Sequence, residues 1–284
     1  MDFIRFDATD GIELEGLLYD AGKENIVINI HGWAGNFYEN IFVQEEALAL
    51  NSCNISFLTF NNRGHDFKCY LSNSKNGNSI VGGGLYEDAS ESKFDIEGAI
   101  NFCKSQGYKR IIIQGHSSGT QKVVNYAIDN NYKDIILLSP GDLYEEAKSS
   151  NDVDIDKLEE TARTLVLKGN GDSLLDIPIW DNYFSAKTFI NTLGQGGFSD
   201  VFPIMRKEKN PMLEKYNGNL IIVVGTNDAY LTPYSNYKTL EKWLKNNFSN
   251  AKIDYLNLEG ETHSFTTNTK NFAKHITEMV LNIL

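Results

Sequence analysis

The sequence predicts an α/β architecture: a mostly parallel eight-stranded sheet with helices on both faces and a helical cap insertion. Two observations carry this. Short β-branched or apolar runs at 26–30, 55–60, 110–114, 134–138, 220–224 and 252–257 alternate with stretches of helical spacing at 39–50, 92–106, 118–130, 234–247 and 269–283. That alternation is the mark of βαβ units, which align their strands in parallel. Between Pro140 and about Tyr216 the alternation stops, leaving helical pieces at 153–166 and 184–193 and the glycines Gly194, Gly196 and Gly197.

Taken in order, residues 3–6 and 12–19 read as two strands joined at Asp10-Gly11, a hairpin that supplies an antiparallel edge and brings the strand count to eight. Residues 61–91, with Gly82-Gly83-Gly84, read as a long irregular loop over the end of the sheet; loops of that length are functional or mobile. The expected organisation is a core of residues 1–140 and 217–284 with a cap of residues 141–216. A chain of 284 residues accommodates this as one domain with an insertion.

Composition narrows the partners. With Lys+Arg 26 against Asp+Glu 38, the net charge of −12 opposes nucleic-acid backbones and anionic membrane surfaces. Neither is expected as a partner, and the oligomeric state is left open. The opening Met1-Asp-Phe-Ile-Arg lacks the basic and apolar regions of a secretion signal, and no apolar run is long enough to span a bilayer. Cys53, Cys69 and Cys103 are odd in number and show no C-x-x-C pairing, so neither a disulfide framework nor a metal site is expected. A reducing cytoplasm suits them.

The chemistry centres on Gly115-His116-Ser117-Ser118-Gly119. The G-x-S-x-G pattern alone is weak, but here Ile111-Ile112-Ile113 leads into it as a strand, and Val123, Val124, Ala127 and Ile128 come after it at helical spacing. That context makes it a nucleophile elbow, a strand-to-helix turn that lifts a serine hydroxyl clear of the sheet. Other strand ends supply the complement, because reactive groups in an open α/β sheet gather at the carboxyl ends of its strands. After 26–30 comes His31-Gly32-Trp33-Ala34-Gly35, whose Trp33 N–H can join the Ser118 N–H as an oxyanion hole. Asp228 lies just after the strand at 220–224, and His263 after the strand at 252–257. The order Ser117, Asp228, His263 is that of an elbow-type triad. Asp142, after Ser139-Pro140-Gly141, is a rival for the acid. In this scheme Ser117 attacks an acyl carbon, His263 takes its proton, Asp228 orients the imidazole, and water cleaves the acyl-enzyme.

These motifs, together with Asn62-Arg63-Gly64-His65, resemble the serine α/β-hydrolase superfamily over essentially the whole chain outside the cap. The resemblance implies a structural role for Arg63 near the oxyanion loop. More narrowly, His31-Gly-Trp-Ala-Gly-Asn-Phe-Tyr-Glu-Asn40 and Ser185-Ala-Lys-Thr-Phe-Ile-Asn-Thr-Leu193 resemble esterase-like members related to fungal siderophore esterases. The resemblance implies a cofactor-independent serine hydrolase of a small to medium carboxylic ester, lactone or depsipeptide-like ester. Thioesterase and peptidase or amidase chemistry use the same triad, and a non-catalytic small-molecule-binding scaffold is the reading of another class.

Each residue also has a bland reading. His275 on a helix and His65 in the Arg-Gly turn are poorer bases than His263. His31 and His116 flank the site and are read as shaping it, the first by packing and the second by polar contacts beneath the elbow; with Trp180 and Phe184 of the cap they are also the candidates for substrate binding. The cap aromatics Trp180, Tyr183, Phe184, Phe189 and Phe198 are more often a cap's own core, and Tyr86 and Glu87 reach the site mouth only if the long loop folds over it.

Overall fold

The computed structural model describes residues 1–149, 153–230 and 237–284. Its main sheet is built from β1 (Asp2–Asp7), β2 (Glu13–Tyr19), β3 (Asn25–Ile30), β4 (Ile55–Phe60), β7 (Arg110–His116), β8 (Asp134–Leu138), β9 (Asn219–Gly225) and β10 (Lys252–Leu258), in the order β1-β2-β4-β3-β7-β8-β9-β10. Strands β4, β3, β7, β8, β9 and β10 run parallel, whereas β2 is antiparallel to both β1 and β4. The expected sheet and its antiparallel edge are therefore present.

Why the strands read as unbroken apolar runs is visible in their burial. Ile111 and Ile113 face one core and Ile112 the other, and the same alternation holds for Ile135 and Leu137 against Ile136, and for Leu220 and Ile222 against Ile221. A strand buried on both faces needs apolar residues at every position. Helices α2 (Ser92–Ser105), α3 (Gly119–Asp129) and α7 (Tyr237–Asn247) cover the first face; α1 (Ile41–Ser52) and α8 (Thr269–Ile283) pair over the second. Residues 234–236 of the expected helix 234–247 lie outside the described residues.

One expectation changes. The stretch 61–91 is not wholly irregular: β5 (Cys69–Ser72) and β6 (Ser79–Gly82) form a separate antiparallel hairpin. Its four-residue strands show too little alternation of apolar residues to register as strands. Within 141–216 the apolar residues divide between two cores. Helices α4 (Leu143–Ser149), α5 (Ile155–Leu167) and α6 (Ala186–Thr192) share a core of their own with Tyr144, Leu158, Phe184, Phe189 and Leu193. Val201, Phe202, Ile204, Leu213 and Tyr216 instead join the core of the sheet.

Beneath the loop over the sheet, Arg63 pairs with Asp95 at 2.7 Å, Glu91 at 2.8 Å and Asp10 at 2.9 Å. Its guanidinium thus ties the loop after β4 to α2 and to the first hairpin. Nearby, Lys122 of α3 forms an ion pair with Glu87, both only 2% exposed. A buried pair of this kind holds only while both partners remain.

Candidate active site

Ser117 occupies the turn from β7 into α3 with φ +55°, a left-handed backbone that costs a non-glycine residue on the order of 1–3 kcal/mol. The turn is held by its neighbours. The Ser117 N–H donates to Leu138 O at 3.0 Å, and Ser117 O accepts from the Thr120 N–H at 2.9 Å and the Thr120 hydroxyl at 2.6 Å. The flanking glycines are sterically required. A Cβ on Gly115 would lie 2.3 Å from Gly119 O, and one on Gly119 2.4 Å from Ile30 O.

His263 lies in the loop between β10 and α8, and its Nδ1 donates to Asp228 Oδ2 at 2.8 Å. The carboxylate accepts here, so Nδ1 carries the proton of this bond and Nε2 is the ring nitrogen that Asp228 does not engage. Asp228, 1% exposed, also accepts from the Tyr230 N–H at 3.0 Å. The loop is further fixed through its backbone, because His263 O accepts from Ser139 Oγ at 2.8 Å and from His116 Nε2 at 2.9 Å.

Asp142 points elsewhere. It accepts from the N–H groups of Met205 at 3.0 Å and Glu145 at 3.3 Å, with Arg206 Nη1 at 3.8 Å, and burial pushes its pKa up to about 6. It makes no contact with His263 among these bonds.

One cavity of about 90 Å³ joins the parts: it is lined by Ser117, Ser118 and His263, by Trp33, Leu143, Trp180 and Tyr230, and by Ser139, Gly141 and Glu146. The Trp33 indole is held by a bond from Nε1 to Gly84 O at 2.7 Å and is stacked on Phe184 at 4.9 Å. Among the described residues, neither the Trp33 nor the Ser118 backbone N–H has a protein acceptor. Both donors are therefore unspent among the described residues.

The structure separates the remaining sequence-assigned residues. Trp180 lines the cavity, but His31, His116 and Phe184 do not. His31 donates from Nδ1 to Gly32 O at 2.8 Å and accepts from the Asn62 N–H at 3.1 Å, so it braces the loop after β3 instead of meeting substrate. Burial pushes both His31 and His116 down to about pKa 3, which keeps them neutral and unsuited as bases. Phe184 is packed in the helical layer behind Trp33. Glu87 faces Lys122 rather than the site mouth. Sequence reasoning passed over Glu146 and Tyr230, both lining the cavity, the latter with its ring edge-on to His263 at 4.5 Å. Nothing in Asp142-Leu-Tyr-Glu-Glu146 distinguishes Glu146 from Glu145; only the helix phase does.

Among the described residues no group of three or more His, Cys, Asp and Glu side chains is placed to hold a metal ion, and no helix is long and apolar enough to cross a membrane. No protein-family model and no curated protein matches the chain. Solved structures do match in shape. Est1E from Butyrivibrio proteoclasticus, seen with ferulic acid bound, aligns at TM-score 0.64 and 19% identity over 98% of each chain. The siderophore hydrolase EstB from Aspergillus fumigatus aligns at 0.65 and 16% over 99% of this chain and 97% of the other. The alpha/beta hydrolase GrgF from Penicillium sp. sh18 aligns at 0.62 and 16% over 99% and 96%. The chain has the α/β-hydrolase fold.

Proposed function

We propose that this protein is a cofactor-independent serine hydrolase of small to medium carboxylic esters, acting through an acyl-enzyme on Ser117. The observation that carries the reading is the strained Ser117 sharing one cavity with His263, whose Nδ1 is bonded to the buried Asp228. Each group then has a role. Nε2 of His263 takes the Ser117 proton as Oγ attacks the acyl carbon, and Asp228 holds the tautomer and stabilises the imidazolium. The N–H groups of Trp33 and Ser118 receive the oxyanion, where one such donor is worth about 10²–10³ in kcat. His263 returns the proton to the leaving alcohol, and water repeats the sequence to release the acid.

The fold and the named neighbours support ester chemistry over other uses of the triad, since the matches include a siderophore hydrolase and an Est1E complex with a carboxylic acid. The helical layer over the elbow, with its core between Tyr144 and Leu193, acts as a cap that places Leu143 and Trp180 against the substrate. Three free cysteines fit a reducing cytoplasm.

The test is intact-mass analysis after fluorophosphonate treatment of wild type and Ser117→Ala, then ester kinetics on both. One adduct on wild type that is absent from the variant, with a loss in kcat of about 10⁴–10⁶, is expected. An unlabelled, folded wild type that turns over no ester, thioester or amide would replace the hydrolase with a small-molecule-binding scaffold.

A further inference from the structure

An oxyanion donor is effective only if its N–H is fixed in place before the charge develops. The Trp33 N–H belongs to the turn from Gly32 to Gly35, which lies directly against Ser117: a Cβ built on Gly32 would be 2.9 Å from Ser117 Cβ and 3.4 Å from its Oγ. Within that turn Ala34 is held at φ +50°, a left-handed backbone that a non-glycine residue keeps only where its surroundings over-determine it. The turn's own closing bond, from the Gly35 N–H to Gly32 O at 3.2 Å, is at the long end of the usual range.

The added restraint comes from the stretch 61–91. The Trp33 indole donates from Nε1 to Gly84 O at 2.7 Å, the Gly84 N–H donates to Asp66 O at 2.7 Å, and the Asp66 N–H donates to Gly35 O at 3.1 Å. These bonds close a ring that leaves the turn at the Trp33 side chain, crosses Gly84 and Asp66, and returns at Gly35. Asn36, next along the chain, adds a bond from Nδ2 to Asp66 Oδ1 at 2.9 Å. Only a glycine allows this approach at position 84, because a Cβ there would lie 2.8 Å from Ala34 Cβ, 2.9 Å from Trp33 Nε1 and 3.0 Å from Ala34 N. The indole itself is packed between Phe184, stacked at 4.9 Å, and Phe67, edge-on at 5.7 Å.

We propose that Gly84 is a positioning residue for the oxyanion hole: its carbonyl, through the Trp33 indole, fixes the turn that aims the Trp33 N–H at the reacting carbonyl. The inference rests on the Ser117 hydrolase reading. The Trp33 side chain then serves two ends, its ring walling the cavity and its Nε1 anchoring the turn.

The experiment measures kcat and KM for ethyl butyrate, and the affinity of 1,1,1-trifluoro-2-pentanone, whose serine adduct carries an oxyanion, with wild type, Trp33→Phe, Gly84→Ala and the double variant. Trp33→Phe keeps the backbone N–H and an aromatic ring between Phe184 and Phe67 but has no indole N–H. Its kcat and kcat/KM should fall together by about tenfold, a part of the 10²–10³ that one donor supplies and the pattern of an interaction made only in the transition state. Affinity for the ketone should fall by the same factor. Gly84→Ala should show the same pattern, and the double variant should lose less than the product of the two, since both changes break one link. If Gly84→Ala does not fold, Trp33→Phe and the ketone decide alone.

An unchanged kcat with a raised KM in Trp33→Phe would make the indole a wall only and overturn the proposal. So would a lowered melting temperature with kcat unchanged, a lost kcat with undiminished ketone affinity, or a strictly multiplicative loss in the double variant. Fluorophosphonate labelling separates the two readings: a labelled wild type whose variants keep full kcat removes only this inference, whereas an unlabelled one that hydrolyses no ester removes the hydrolase as well.

Discussion

His116 donates from Nε2 to the carbonyl oxygen of His263 at 2.9 Å, and the residue before Ser117 thereby holds the backbone of the proposed base. Ser139 Oγ adds a second donor to the same oxygen at 2.8 Å. The strand ends after β7 and β8 thus converge on one peptide unit. Burial pushes the His116 pKa down to about 3, so it is the neutral ring, with its proton on Nε2, that makes this bond.

His116→Phe and Ser139→Ala should each lower kcat by about tenfold, the worth of one hydrogen bond of about 1.4 kcal/mol. The KM for a small ester should change little. The double variant should lose less than the product of the two, since both donors serve one acceptor. Steady-state kinetics on all three variants check this, and a strictly multiplicative loss would show that the donors act independently.

Asp228→Asn should reduce kcat by about 10⁴, because an amide can donate to the imidazole and select the wrong tautomer. Asp142→Asn should leave kcat within a few-fold, since Asp142 faces the Met205 and Glu145 amides. Reversal of the two effects would transfer the acid role to Asp142.

Lys122→Met should destabilise the fold by about 3–5 kcal/mol, because it leaves the Glu87 carboxylate buried without its cation. Adding Glu87→Gln should restore much of that loss by removing the stranded charge. Urea unfolding of the single and double variants decides. A double variant no more stable than Lys122→Met would mean that packing, and not the buried charge, dominates.

Glu46 lies fully buried on α1, and burial pushes its carboxyl up to about pKa 8 despite an accepted hydrogen bond from Gln114 at 2.9 Å. Proton counts set the sign. Between the unfolded pKa of about 4.5 and the folded value of about 8, the native state binds the proton that the unfolded chain has released. The contribution of this group to stability is therefore full below pH 4.5 and is lost as pH rises to 8. Glu46→Gln removes the titration, so the variant's stability relative to wild type should be higher at about pH 8 than at about pH 5. Urea unfolding at both values tests this, and a pH-independent difference would contradict the assignment.

Much of the fold was legible because burial on both faces forces apolar residues at consecutive positions. Ile111-Ile112-Ile113 and Leu220 to Val224 announce central strands on that ground alone. The hairpin of β5 and β6 was not legible, since its strands are four residues long and most of their positions are exposed. The packing of the segment after Leu193 was not legible for a different reason. Val201 to Tyr216 carries apolar residues without periodicity, and whether they pack on α5 or beneath the sheet depends on a chain path that composition does not encode.

For the site, sequence alone determined the residue types and their order: a serine between two close-packed glycines, then an aspartate and a histidine after later strands. The elbow is local, and local sterics write themselves into local sequence. Only the tertiary structure decided which partners meet. It turned Asp228 toward His263 and Asp142 toward the Met205 amide, withdrew His31 and His116 from the cavity into bracing bonds, and brought Glu146 and Tyr230 to its wall. Those choices depend on side-chain directions across elements dozens of residues apart, and a direction in space leaves no periodic trace in the chain.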